Sequence, residues 1–236
     1  MKNIAIIFAG GVGARMNNPE TPKQFLVWNG KAVLIHTLLN FEKNENIDAI
    51  ILACKEDWID YARSLIEKEN INKVCSIVPG GDTALDSQYI ALKKAKELYG
   101  ERDIIVLIHD GVRPLIDDEI INRNIEGVKK KGSAITVTKA IETVVLVNKN
   151  AEVSSVLDRD SCVMAKAPQS FWLRDILDAH NIARKKGVYN YVDSASLMLA
   201  SGFTLNTVMG KHENIKITTP SDYYMFLGIS RARLEE

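Results

Sequence analysis

The chain is poor in the features that mark several large classes of protein. Its 30 basic and 30 acidic residues leave no net charge, which argues against a general binder of nucleic acid or of anionic membranes. No run of apolar residues approaches the roughly 20 that a membrane-spanning helix needs. The first apolar run, residues 4–8, is too short for the apolar core of a signal peptide. We therefore expect neither a nucleic-acid nor a membrane partner.

Cysteines are also few. Cys54, Cys75 and Cys162 lie far apart and lack the CxxC spacing of common metal and redox sites. Three cysteines without a secretory signal indicate free thiols in a reducing compartment, so we expect a cytoplasmic protein. Of the 236 residues, 46% are hydrophobic and 25% are charged, which is typical of a globular chain. This length predicts one domain over residues 1–236.

Short apolar runs alternate with longer amphipathic stretches along the chain, which predicts an α/β fold with a mostly parallel sheet. The predicted strands are 4–8, 49–53, 75–78, 103–108, 134–139 and 214–218. The predicted helices are 32–41, 57–69, 83–99, 119–131, 170–186, 193–201 and a last one from about residue 223. Ligands of such sheets bind at the carboxyl ends of the strands, so the glycine-containing turns there should converge on one site.

Residues 138–165 depart from this alternation. Two apolar stretches, 143–147 and 153–157, flank the polar segment 148–150, which is typical of a β-hairpin. The excursion does not continue the parallel sheet. We therefore predict a protruding arm that contacts a partner subunit.

A glycine-rich turn follows the first predicted strand. It holds Ala9, Gly10, Gly11 and Gly13, whose backbone N–H groups are suited to bind phosphate. A tight turn that needs a positive φ explains the same glycines without any ligand. A dinucleotide site fits poorly, because the third glycine of that motif is absent and no clear ribose-binding acid follows the second strand.

Two cations follow the turn. Arg15 and Lys23 could stabilise the charge that develops during displacement at phosphorus, as a nucleoside triphosphate site requires. The alternative is that both are solvated surface residues. Pro22 favours the first interpretation, because it stiffens the loop that carries Lys23.

Further candidates follow later strands. Asp110, after the most apolar strand, is a candidate Mg²⁺ ligand, although Arg113 could simply pair with it. His109 is expected to be structural. Asp82 and Ser87 are candidates for contacts with base or ribose, and Asp82 is equally a candidate N-cap.

Lys216 and Arg159 supply two more cations beyond the predicted triphosphate site. Such a separated pair would suit a second, phosphorylated substrate. Lys216 lies on the late predicted strand, and Arg159 follows the hairpin.

Seven motifs occur in order over nearly the whole chain. They are AGGVGARM at 9–16, PKQF at 22–25, GGDTALDS at 80–87, HDGVRP at 109–114, DR at 158–159, APQSF at 167–171 and NIKITTPSD at 214–222. Together they resemble the cytidylyltransferases that act on methylerythritol phosphate and on ribitol phosphate. The resemblance implies a Rossmann-like three-layer sandwich, an arm that is exchanged in a homodimer, and CTP as a substrate.

The resemblance also implies roles for individual residues. Arg15 and Lys23 would stabilise the transition state, Arg159 and Lys216 would orient the acceptor phosphate, and Asp110 would hold Mg²⁺. Arg159 would reach the site of the other subunit, and Thr143 on the arm would contact the acceptor. The implied CTP-binding residues are Ala9, Gly10, Gly11, Gly13, Gly81, Asp82, Ser87, Gly111 and Arg113.

Three positions depart from the family pattern. Ala84 stands where the family usually has arginine, and Ala167 and Val192 stand where it usually has threonine. The two threonine positions belong to the acceptor side, so their loss should change the acceptor preference. Methylerythritol 4-phosphate would indicate isoprenoid synthesis, and ribitol 5-phosphate would indicate teichoic-acid or capsule synthesis. An inactive nucleotide-binding homologue and a transferase for another nucleotide or a sugar phosphate are the alternatives.

Overall fold

A central seven-stranded sheet organises the computed structural model, which describes residues 1–10, 21–188 and 190–235. The strands are β1 (Lys2–Ala9), β2 (Val27–Trp28), β3 (Lys31–Ala32), β4 (Ala49–Cys54), β5 (Val74–Pro79), β6 (Ile104–Asp110), β7 (Ser133–Lys139), β8 (Val145–Val147), β9 (Val153–Val156), β10 (Val163–Trp172) and β11 (Thr207–Met209). The helices are α1 (Val33–Lys43), α2 (Ile59–Lys68), α3 (Ala84–Tyr99), α4 (Asp118–Lys131), α5 (Leu173–Lys185), α6 (Ser194–Ala200) and α7 (Pro220–Glu235).

The strand order in the sheet is β11-β7-β10-β6-β1-β4-β5. All neighbouring strands pair in parallel except β10, which is antiparallel to both β6 and β7. Because β1 lies in the interior of the sheet between β6 and β4, both of its faces are buried, which explains the continuous apolar run at residues 4–8. The prediction of a mostly parallel sheet is confirmed.

Helices cover both faces of this sheet. Ala5 and Ile7 of β1 pack with α1, α2 and α4 on one face. Ile4 and Ile6 pack with α3, α5 and α6 on the other, as the two-residue period of a strand requires. The result is the predicted three-layer sandwich. Among the described residues, no helix has the length and apolar character needed to cross a bilayer.

Two element predictions were wrong. Residues 170–172 belong to β10 rather than to a helix, because the buried Ser170 and Phe171 pair with both β6 and β7. Residues 214–218 form no strand, since Ile217 donates its backbone hydrogen bond to Val112 in an irregular segment. The late strand is instead β11, which pairs in parallel with β7 and is only three residues long.

Strand β10 contains a bulge. It pairs with β7 at Ala165↔Val137 and again at Gln169↔Ile135, so β10 advances four residues while β7 advances two. Neighbouring side chains hold the backbone within the bulge. Asn214 Nδ2 donates to the Ala167 carbonyl at 2.6 Å, and Thr136 Oγ1 donates to the Pro168 carbonyl at 2.7 Å.

Strands β8 and β9 form the predicted hairpin, as a separate two-stranded sheet. Every residue of both strands is exposed. The cross-strand pairs Val145↔Val156 and Val147↔Val153 create an apolar stripe on one face of this hairpin.

Candidate active site

The carboxyl ends of β1, β4, β5 and β6 meet at one edge of the sheet, and the loops there enclose a cavity of about 320 Å³. We call it the first cavity. Its walls are Phe8, Ala9, Gly10, Lys23, Gln24, Gly81, Asp82, Thr83, Ala84, Ser87, Asp110, Val112 and Lys216. A cavity of about 390 Å³ beside Asp103 and Trp172 lies at the amino-terminal start of β6, where sheets of this type do not bind their ligands.

Lys23 lies in a short 3₁₀ turn, Lys23–Phe25, that is tied to the end of β1. The buried Gln24 donates from Nε2 to the Ala9 carbonyl at 2.8 Å. Phe25 is buried as well and stacks on Trp58 with ring centroids 4.8 Å apart. The turn therefore holds Lys23 beside the end of β1, as the motif order predicts.

The loop after β5 forms the opposite wall. The Gly81 N–H donates to Ser87 Oγ at 3.1 Å, and that hydroxyl donates to the Thr83 carbonyl at 3.0 Å. A Cβ atom on Gly81 would lie 2.5 Å from the Asp86 Cβ, so only glycine fits there. Ser87 is thus buried and positions the loop, while its neighbour Asp82 lines the cavity and is exposed.

The suggestion that Asp82 caps α3 was wrong. Thr83 is the N-cap, and its Oγ1 accepts from the Asp86 N–H at 3.1 Å. Asp82 precedes the cap, so its carboxylate remains available at the cavity wall.

Gly111 is set back from the cavity, because it packs against core residues. A Cβ atom there would lie 3.0 Å from Leu34 Cδ1.

Asp110, the last residue of β6, is a buried carboxylate held by two cations. Arg113 Nε donates to its Oδ2 at 2.7 Å, and Lys216 Nζ lies 2.5 Å from its Oδ1. Burial alone would raise the pKa of Asp110, but the charges of Arg113 and Lys216 outweigh it and lower the pKa to about 2. The expected pairing of Arg113 with Asp110 is therefore present. Arg113 also donates to the Asn214 carbonyl at 2.8 Å.

His109 lies on the other face of β6 at the same end. It is fully buried and packs against Phe41. Burial lowers its pKa to about 4, so the ring is neutral near pH 7. This environment supports the expected structural role.

A second cavity, of about 190 Å³, adjoins the first. Phe8, Ala84, Asp110 and Lys216 line both cavities and form the wall between them. The second cavity is completed by Gln88, Ile108, Arg113, Ala165, Lys166, Ala167, Gln169, Val192, Asp193 and Ser194. All three departures from the family pattern therefore line this one cavity.

Hydrogen bonds fix much of the second cavity's polar wall. Gln169 Nε2 donates to Asp193 Oδ2 at 2.7 Å, and Gln169 Oε1 accepts from the Ala195 N–H at 2.9 Å. Ser194 Oγ donates to Gln88 Oε1 at 2.7 Å. Sequence reasoning missed these residues. The APQSF motif contains Gln169 and could have indicated it, whereas no local pattern marks Gln88 or Ser194.

Arg159 and Thr143 lie together at the base of the arm. Arg159 Nη2 donates to Thr143 Oγ1 at 3.2 Å, and both residues are exposed. Within the part of the chain that the structure describes, neither residue lines the two cavities. Three other predicted site residues, Gly11, Gly13 and Arg15, lie outside the described residues.

Glycines at 10 and 81, the cations Lys23 and Lys216 and a shared carboxylate at the ends of parallel strands define a phosphate-binding α/β enzyme of the nucleotidyltransferase class. A family model described as IspD, 2-C-methyl-D-erythritol 4-phosphate cytidylyltransferase, matches residues 3–229, so the chain belongs to this family. The predicted enzyme class and family resemblance are confirmed.

Two relatives and one solved structure illustrate the similarity. A ribitol-5-phosphate cytidylyltransferase of Streptococcus agalactiae serotype V is 49% identical over 100% of this chain and 98% of its own length. One of Vibrio parahaemolyticus is 52% identical over 96% of this chain and 95% of its own. The crystal structure of 4-diphosphocytidyl-2C-methyl-D-erythritol synthase from Anaerococcus prevotii matches with a TM-score of 0.81 at 27% identity, over 97% of this chain and 96% of that one.

Proposed function

We propose that this protein transfers the cytidylyl group of CTP to ribitol 5-phosphate, giving CDP-ribitol and pyrophosphate. The observation that carries the proposal is the pair of cavities that meet at Asp110 and Lys216. The first cavity would hold CTP and the second would hold the acceptor. Their shared wall is where the two substrates would come into contact.

Recognition of CTP would depend mostly on the main chain. Gly10 and Gly81 line the first cavity, and the absence of side chains there would let a phosphate or nucleoside approach the main chain closely. Asp82 is a charged candidate for contact with the nucleoside, whereas Arg113, which was also expected on this side, lines the second cavity and is held by Asp110. Ser87 and Gly111 would act by holding these segments in place, since their own contacts are with protein atoms.

The reaction would be a displacement at the α-phosphorus of CTP. An oxygen of the acceptor's phosphate attacks that phosphorus, and the bond to pyrophosphate breaks as the new phosphorus–oxygen bond forms. No general base is needed, because a phosphate monoester with a second pKa of about 6 is already ionised at pH 7. Arg15 and Lys23 would stabilise the developing charge, while Lys216 and Arg159 would orient the attacking phosphate.

A Mg²⁺ ion would be held by Asp110, the one carboxylate among the described residues that lines both cavities. The described residues contain no cluster of three or more metal-binding side chains. Each Asp110 oxygen accepts from one cation and keeps a second lone pair, so the carboxylate can also be a ligand of Mg²⁺, which binds nucleotides largely through phosphate oxygens and water. When bound, the ion would neutralise charge on the triphosphate.

The choice of ribitol 5-phosphate is supported by the names of the two relatives and by the second cavity. Ala167 and Val192 present methyl groups where the family pattern has threonine hydroxyls. A site that lacks these donors should favour a different arrangement of acceptor hydroxyls from that of methylerythritol 4-phosphate.

The test is pyrophosphate release with Mg²⁺ and CTP against ribitol 5-phosphate, methylerythritol 4-phosphate and glycerol 3-phosphate. We expect ribitol 5-phosphate to give the highest kcat/KM. A higher value for methylerythritol 4-phosphate would overturn the acceptor assignment. CTP binding without release from any acceptor would instead indicate a homologue that has lost its activity.

We also propose a homodimer formed through the arm. Its valine stripe is exposed in one chain, with Val147, Val153 and Val156 each about 60% accessible, and an isolated two-stranded hairpin is only marginally stable in water. A partner that covers the stripe would bring Arg159 and Thr143 towards the partner's second cavity.

Val147→Asp combined with Val153→Asp tests the homodimer. These substitutions should convert dimers into monomers in sedimentation and lower activity together with dimer content. Val188→Asp, which alters an exposed valine away from the arm, is the control. A wild-type protein that sediments as a monomer at micromolar concentration would refute the homodimer.

A further inference from the structure

The second cavity contains a lysine that has no role in the reaction described above. Lys166 lies in the β10 bulge, between the ladder pairs at Ala165 and Gln169. It is half-buried and lines the second cavity without lining the first. Bulges commonly redirect side chains beside active sites, and this one turns a cation towards the acceptor cavity.

The ammonium group of Lys166 forms only weak hydrogen bonds within the protein. Nζ donates to the carbonyls of His212 and Asn214 at 3.2 and 3.4 Å, which is long for an N–H···O hydrogen bond. Among the described residues, no carboxylate forms an ion pair with Lys166. Burial and the nearby charge of Arg113 lower its pKa. An ammonium group has three donors, so at least one is available to a ligand.

The other charged residues of this cavity are already engaged. Asp110 accepts from both Arg113 and Lys216. Asp193 caps α6 and accepts from Gln169. The cavity therefore has an uncompensated positive charge at Lys166, at a position that a polar ligand could reach.

The position of Lys166 indicates which part of the ligand it meets. Lys216 and Asp110 border both cavities, so the acceptor's reacting phosphate should lie beside them. Lys166 borders only the second cavity and should therefore face the other end of the acceptor. Ala167, which follows it in the chain, and Val192, which lines the same cavity, present methyl groups. Gln169, Ser194 and Gln88 are bonded within the protein, so Lys166 has a donor to offer to a hydroxyl.

We propose that Lys166 donates a hydrogen bond to a hydroxyl of the acceptor's alditol chain and so determines acceptor specificity. The inference rests on the proposed function, because it assumes a polyol phosphate in the second cavity. It assigns the recognition of the hydroxyl chain to the bulge, separately from the phosphate contacts of Lys216 and Arg159.

The first test compares wild type with Lys166→Met and Lys166→Arg. Loss of a charge-assisted hydrogen bond should raise KM for ribitol 5-phosphate by about tenfold or more in Lys166→Met. KM for CTP and kcat should change by less than about twofold, since Lys166 does not border the first cavity. Lys166→Arg should recover part of the loss, and the exposed Lys130→Met serves as the matched control.

A second test uses ribitol 5-phosphates that each lack one hydroxyl. In wild type, one of these analogues should react about tenfold less efficiently than the parent, and in Lys166→Met that difference should vanish. An unchanged KM, or equal discrimination by both proteins, would overturn the proposal. So would parallel losses for CTP and acceptor with a lower melting temperature, which would indicate a structural role. A wild-type enzyme inactive with ribitol 5-phosphate would refute the proposed function instead.

Discussion

The two cavities differ in what their walls are made of. The first lies at the ends of β1 and β5 and includes Gly10 and Gly81, which offer only their main chain, with Lys23 added from a turn that Gln24 holds in place. The second adds residues of β10 and of the start of α6, among them the polar side chains of Lys166, Gln169 and Ser194. Main-chain groups survive most substitutions, whereas side-chain contacts change with each one. Nucleotide binding can therefore persist while the acceptor preference changes.

The wall between the cavities belongs to both. Asp110 and Lys216 would contact the nucleotide and the acceptor at once, so a change there should affect both substrates. A change confined to the second cavity should affect the acceptor alone.

Lys23→Ala should have the largest effect. Removing a cation that stabilises charge on the transferred group should lower kcat by roughly 100- to 1,000-fold. Gln24 and Phe25 still hold the turn, so the melting temperature should change little. Pyrophosphate release and thermal unfolding are the measurements, with Lys130→Ala as the control. Near-normal turnover would show that Lys23 is not a catalytic residue.

Asp110→Asn should be the next most damaging change. It would leave Arg113 beside a neutral partner in a buried site, which should cost about 3 kcal/mol of unfolding free energy. Activity should also fall, and the apparent affinity for both substrates should weaken together. Chemical denaturation and steady-state kinetics measure this, with the exposed Asp60→Asn as the control. Weakening of only one substrate would contradict the shared wall.

Ala167→Thr combined with Val192→Thr should have a moderate effect confined to the acceptor. Restoring two hydroxyls should shift the ratio of kcat/KM for methylerythritol 4-phosphate over ribitol 5-phosphate upwards by about tenfold. KM for CTP should stay the same. Val188→Thr, outside both cavities, is the matched control. Val192 is 93% exposed and forms the rim, so the Ala167 substitution should provide most of the shift.

Lowering the pH should reduce the free energy of unfolding before it protonates Asp110 in the wall between the cavities. Burial lowers the pKa of His109 and of His180 to about 4, from 6.5 in the unfolded chain. Between pH 6.5 and 4 the unfolded state binds these protons and the folded state does not, so stability falls as pH falls, by up to about 1.4 kcal/mol per pH unit for each histidine. Asp110, whose pKa is lowered to about 2 from 3.8, loses its stabilising contribution only below about pH 4.

The measurement is the unfolding free energy against pH. His180→Leu should reduce the slope between pH 6.5 and 4 by about one proton, while replacing the exposed His212 should leave it unchanged. Asp110→Asn should shift the whole curve without changing its slope in that window. An unaltered slope in His180→Leu would show that this histidine binds its proton in the folded state.

Much of the first cavity could be predicted because its signals are local. An apolar strand that ends at Ala9 and another that ends at Asp110 place their following residues at one sheet edge by the rules of parallel sheets. The glycine at 81 is likewise visible in the local sequence. The structure explains why glycine is needed there, because a Cβ atom would lie too close to Asp86. The family motifs supplied the remaining expectations.

The second cavity could not be predicted in the same way. Its wall combines Gln88 of α3 with Ser194 of α6 and Lys166 of β10, which only the folded chain brings together. Strand β10 was not predicted, because the apolar residues in 170–172 continue the pattern of the following helix. The bulge also breaks the two-residue alternation that would have indicated a strand.

The anchoring of the β10 bulge has a consequence for how the acceptor range can change. Asn214 and Thr136 donate hydrogen bonds to the carbonyls of residues 167 and 168 from outside the cavity. The main chain of the bulge is therefore held by contacts that do not involve the side chains at 166 and 167. The half-buried position 166 can therefore be varied, whereas the buried position 167 has room only for small side chains. A library randomised at these positions within those limits should yield many folded enzymes. They should differ in their preference among polyol phosphates while the residues that serve cytidylyl transfer stay the same.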